Sequence, residues 1–158
     1  MNKYYHLSPL LLEAGSIIKP GNWGRIINSY SIGQGQPWIV AREFIFETIR
    51  SAEFNELPSR FSSSFVFESL DDANKYKKEF TQWNSLYEVE IVSPDLPMHR
   101  AGFNHISFPN NEVEFVPVTV NSAKYYWKGE DIQTPEIITH SPLKILSLIS
   151  TGPGCYQP

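Results

Sequence analysis

The sequence predicts an α+β fold of two or three helices and six or more short strands, and three observations carry that expectation. Short β-rich or alternating runs recur along the chain, and two stretches carry apolar residues at helical spacing. Twelve prolines among 158 residues exceed the usual share of roughly 5 %, so elements are short and turns frequent, which excludes coiled coils and long helical bundles. A hydrophobic fraction of 41 % with 19 % charged residues is that of one globular domain with a real core.

Taken in order, Tyr4 to Leu7 is an aromatic first strand, and Ser16 to Lys19 a short extended piece stopped by Pro20-Gly21. Residues 28 to 36 form a loop. Pro37 opens a helix over Trp38 to Arg50, whose apolar face is expected from Val40 and Phe44 with Ile45 and Ile49. After Pro58, Ser64 to Phe67 is a β-rich run. Ser69 is placed to cap a helix through Trp83, with Asp71 and Asp72 in the first turn, where the helix dipole favours negative charge. Tyr87 to Val92 alternates as a half-buried strand should, which makes Glu88 and Glu90 a wet face. Residues 98 to 110 show no clean period. Glu112 to Val120 reads as an edge or bulged strand because of Pro117, and Asn121 to Trp127 as a short helix ended by Gly129. Glu136 to His140 and Leu143 to Ile149 are the last strands. One domain over 1–150 with a loose tail over 151–158 is expected.

The formal net charge is −4, which promises no basic face for duplex phosphates. No apolar run approaches the roughly 18 residues of a membrane-spanning helix, and the first residues lack the pattern of a signal peptide. The single cysteine, Cys155, has no partner for an intramolecular disulfide, so a cytoplasmic setting is expected. Loops that cradle phosphates, GxGxxG, HExxH and GxSxG are all missing, and the spacing of His6, His99, His105 and His140 gives no reason to expect a metal.

What stands out is scattered. Tyr5-His6-Leu7-Ser8 lies on the first strand. The aromatic strand Phe65-Val66-Phe67-Glu68 runs into a helix carrying Ala73 and Tyr76, and Glu136 opens a late strand after Pro135. In that order these segments resemble the ADP-ribosyltransferase superfamily, in its His–aromatic–Glu branch related to diphtheria toxin and the poly-ADP-ribose polymerases, as seen in small bacterial and phage-borne domains. The resemblance covers about a quarter of the chain. It implies a split β-sandwich of two small sheets flanked by helices, with NAD as co-substrate lying between the sheets and no metal. Breaking the nicotinamide–ribose bond develops positive charge on the ribose, which a carboxylate can offset. That role falls to Glu136. His6 with Ser8 would hold the adenosine-side ribose, Phe67 or Tyr76 would stack on nicotinamide, and Arg60 would reach the pyrophosphate as a forked donor.

Two departures refine this expectation. The second motif strand offers Phe65 and Phe67 where the branch usually has a tyrosine. Thr134 stands two residues before Glu136, where arginine-directed relatives carry an acidic or amide group, so an arginine acceptor is not favoured. The expected activity is transfer of ADP-ribose to a macromolecular acceptor by a monomer, and the acidic balance points to protein more than nucleic acid. The alternatives are NAD hydrolysis, RNA 2′-phosphate transfer, or a non-catalytic binding module on the same fold. Ordinary roles stand beside each residue: His6 satisfied by backbone, Phe65, Phe67 and Tyr76 in the core, Glu136 at a solvated edge or in an ion pair, and Arg60 in a surface ion pair at a turn.

Overall fold

A computed structural model describes residues 2–34, 36–107 and 113–152. Cys155 and most of the expected tail lie outside the described residues. The α+β class holds: the described residues contain two antiparallel sheets and four α-helices, one more helix than the upper expectation. The larger sheet has the order β1 (Tyr4–Ser8), β4 (Ser85–Ile91), β7 (Leu143–Ser150), β2 (Ile17–Ile18). The smaller has β3 (Ser64–Val66), β6 (Pro135–Thr139) and β5 (Met98–Gly102). An isolated antiparallel bridge between Tyr5 and Phe67 joins the two at the β1 and β3 edges, so the sheets form one bent surface.

Alternation along the strands assigns the two faces of that surface. Tyr87, Val89 and Ile91 of β4 point inward with Val66, Ile137, Leu143 and Ile145, and this inner core fills the space between the sheets. Leu86 points outward to meet Phe67 and Ala73 beneath α3 (Leu70–Phe80). Ile138 and Ala101 point outward from the smaller sheet, under α2 (Pro37–Glu53) and α4 (Phe115–Lys128). The Tyr87 hydroxyl accepts from the Leu12 amide and donates to the Leu10 carbonyl, which ties the chain after β1 against the larger sheet.

The α3 start matches its sequence signal, since Ser69 Oγ accepts from the amides of Asp71 and Asp72. The helix ends at Phe80 rather than Trp83. Three other expectations are corrected. Over residues 113–120 the chain is not a strand: α4 runs Phe115–Lys128 through both Pro117 and Asn121, and ends on Gly129 in the left-handed region. Proline is tolerated there because the first-turn amides of a helix have no intrahelical acceptor. A short helix, α1 (Asn22–Ser29), occupies residues for which the pattern offers none and overlaps the expected 28–36 loop, whose Gly35 lies outside the described residues. It is held by packing, with Gly24 set so closely on the Phe61 carbonyl that a Cβ would collide with it. Finally, α2 buries the expected face only in part: Val40, Ile45 and Ile49 are half-buried, and Ile49 packs on the outer cluster. Phe44 is 51 % exposed, while Arg42, Glu43 and Phe46 are buried. The start of the expected loose tail is packed too: Lys77 Nζ donates to the Thr151 carbonyl, and Gly152 lies against the Trp83 carbonyl.

Candidate functional site

Glu136 stands at the start of β6, opposite Ala101 of β5. It shares its face with Ile138, so its side chain enters the outer cluster beneath α2 and α4, and it is 4 % exposed. Its Oε1 accepts from Arg60 Nη1 at 2.7 Å and from the Tyr126 hydroxyl at 2.6 Å. The solvated edge expected for this residue is therefore replaced by its other reading, an internal pair. Arg60 opens the 3-10 turn Arg60–Ser62 just before β3 and is 5 % exposed. Its Nε donates to Glu43 Oε2 at 3.0 Å, its Nη2 to Glu43 Oε1 at 3.2 Å, and its Nη1 to Tyr126 and Glu136. All three nitrogens are engaged inside the protein. Buried and turned toward these internal acceptors, Arg60 is not presented to a pyrophosphate as expected.

Glu43, 1 % exposed, also accepts from Arg42 Nη2, and Arg42 Nη1 donates to the Ile106 carbonyl. Two arginines and two glutamates thus balance in charge at one centre, which is the condition under which buried charge is tolerated. Burial works against the Arg60 charge, but Glu43, Tyr126 and Glu136 outweigh it and hold the guanidinium protonated well beyond its ordinary range. At Glu43 burial likewise opposes ionisation, and Arg60 and Arg42 together overcome it and lower the carboxyl pKa. The Tyr126 hydroxyl is pushed far up by burial, with Glu136 adding to the rise and Arg60 opposing it.

His6 lies elsewhere. It alternates with Tyr5 and Leu7, which pack outward, and pairs with inward-facing Tyr87. Its Nδ1 donates to the Phe65 carbonyl at 2.8 Å across the junction of the sheets, and burial lowers its pKa, offset in part by that bond. His6 and Glu136 therefore face opposite sides of the bent surface. Ser8 Oγ accepts from the Leu10 amide, a local turn contact. Phe67 and Tyr76 do come together, with ring centroids 5.1 Å apart. Tyr76 also packs edge-on against Phe103 at 4.5 Å and tilted against Phe80 at 5.2 Å, so its ring belongs to an aromatic cluster of the protein. Its hydroxyl is pushed up to about 12, chiefly by burial and next by Glu136.

The expected set thus divides. Arg60 and Glu136 meet, Phe67 and Tyr76 meet, and His6 with Ser8 stands apart. Sequence reading missed Glu43 and Arg42, and it placed Tyr126 on a helix without a polar role. A signal for the first two existed, because Arg42-Glu43 interrupts an otherwise apolar run from Trp38 to Phe46. Among the described residues no group of three or more His, Cys, Asp or Glu is placed to hold a metal ion, and no helix is long and apolar enough to cross a membrane.

A search of curated proteins finds no match to this chain. A family model described as "Protein of unknown function (DUF2441)" matches residues 11–151, nearly all of the fold just described, and the chain belongs to that family.

Proposed function

We propose that the chain acts by binding rather than by catalysis, as a domain that keeps the split two-sheet architecture expected of ADP-ribosyltransferase-like proteins while its glutamate and arginine positions serve the fold. The four-stranded and three-stranded sheets bent about the Tyr5–Phe67 bridge support the architectural half. One observation carries the functional half: Glu136 Oε1 is shared by Arg60 and Tyr126 on the face of the sheet turned away from His6. A carboxylate engaged by an internal guanidinium and phenol is poorly placed to accept a ribose hydroxyl, and an arginine with every nitrogen occupied does not clamp phosphate.

The test is incubation of purified protein with labelled NAD and cell extract, using Glu136→Gln as a matched control. The reading expects no label on any macromolecule and no free ADP-ribose above the protein-free rate. It also expects Glu136→Gln to lower the melting temperature. Transfer or hydrolysis that Glu136→Gln abolishes while the protein stays folded would overturn it and install the transferase or NAD glycohydrolase in its place.

A further inference from the structure

The described surface has an open cleft of about 640 Å³ between α1 and the Arg60–Ser62 turn, lined by Gly21, Gly24, Arg25, Asn28, Phe61 and Ser62 among others. It is shallow and open to solvent over most of its extent. Two glycines lie among its lining residues where α1 packs on the turn. Gly21 sits at φ +92°, and Gly24 leaves no room for a side chain against Phe61. The Arg25 Nη1 lies over Gly21, 3.3 Å from where a Cβ would be. Its Nη2 is held by the Pro20 carbonyl at 3.3 Å and by Asn22 Oδ1 at 2.5 Å.

Arg25 differs from its counterparts. Arg42, Arg50, Arg60 and Arg100 each have a carboxylate within 3.0 Å, whereas Arg25 has none among the described residues. No acidic side chain lines the cleft. Phe61 supplies an aromatic wall braced by the Phe44 ring at 5.3 Å. The Ser62 hydroxyl, 3.1 Å from His140 Nε2, adds a second polar group. A fixed guanidinium without a carboxylate partner, beside an aromatic wall and a hydroxyl, selects for an oxyanion carried on a flat ring.

We propose that this cleft binds a small aromatic oxyanion, its anionic group on Arg25 and its ring against Phe61. The proposal gives the binding reading above a ligand class and takes its biological sense from that reading, but its residues are separate from His6 and Glu136. NAD turnover would therefore remove that reading and leave the cleft untouched, while an inert cleft would leave the Glu136 argument standing.

The experiment is an amide-resolved NMR titration of the intact chain with benzoate and with phenyl phosphate, beside benzyl alcohol as ring without charge and acetate as charge without ring. Saturable shifts centred on Gly21, Gly24, Phe61 and Ser62 are expected with one or both ringed anions, and whichever binds tighter identifies the oxyanion. Both controls should bind at least about tenfold more weakly, since each lacks one of the two contacts. Arg25 is exposed, so Arg25→Gln should fold normally and lose about tenfold in affinity, and added salt should weaken binding to the parent. Equal binding of a control and a ringed anion, shifts centred elsewhere, or an Arg25→Gln affinity equal to the parent's would each overturn the proposal.

Discussion

Arg60 reaches Glu43, Tyr126 and Glu136 through three nitrogens, a geometry that lysine cannot copy. Removing the guanidinium leaves two carboxylates buried without their shared partner, a situation that costs about 3–5 kcal/mol. Arg60→Met should accordingly destabilise by that amount in urea denaturation, and Arg60→Lys should recover only part of it. Glu136→Gln keeps the shape and leaves Arg60 with Glu43, so a smaller loss of about 1–3 kcal/mol is expected. The double variant Arg60→Met/Glu136→Gln should lose less than the sum of its parts, because the two groups share one contact. Additive losses would show that the pair is not coupled.

At the scale of elements, chain pattern placed most strands and two helices within a few residues, since alternation and capping are local properties. Ser69 capping α3 and Gly129 ending α4 are examples. The failures have distinct local causes. Pro117 is read as a strand edge because proline breaks ladders, yet it fits a first helical turn equally well, and the wide exposure of Val116 and Pro117 blurs the period that would have decided it. In α2 the pairs Val40 with Phe44 and Ile45 with Ile49 suggest a face that holds except at Phe44, while Arg42 and Glu43 turn inward because Glu43 finds Arg60. In α1, intrinsic propensity argues against a helix with a central glycine, and contact with Phe61 supplies what propensity lacks. Gly24→Ala tests this directly. On propensity alone it should stabilise α1 by about 1 kcal/mol. The collision with the Phe61 carbonyl should instead push α1 off the turn and destabilise by roughly 1–3 kcal/mol, seen as a lower urea midpoint.

For the whole molecule, the buried ionisable groups fix a direction of pH dependence. Glu43 has a folded pKa below its ordinary 4.5, so its contribution is complete above 4.5 and is lost as pH falls through the lower folded value. His6 and His99 are held below their ordinary 6.5, chiefly by burial. Both stay neutral in the fold while the unfolded chain takes up protons, so stability starts to fall below 6.5. Tyr76, at about 12, acts in the opposite direction: its contribution is complete below the ordinary 10.0 and is lost as pH rises through the folded value. Melting temperature should therefore be flat near neutrality, decline below 6.5 and steepen below 4.5. His6→Gln should flatten the first decline. An unchanged profile in that variant would show that His6 does not contribute.

Read alone, the order of residues determined the α+β class, most strand positions and the capping of α3, because each depends on neighbours a few positions apart. Only the three-dimensional arrangement decided that Arg60 and Glu136 engage each other across 76 positions, that Glu43 and Tyr126 complete their set, and that His6 faces the other way. Whether a charged side chain meets solvent, a ligand or an opposite charge depends on which distant segment folds over it, and periodicity along the chain carries no record of that.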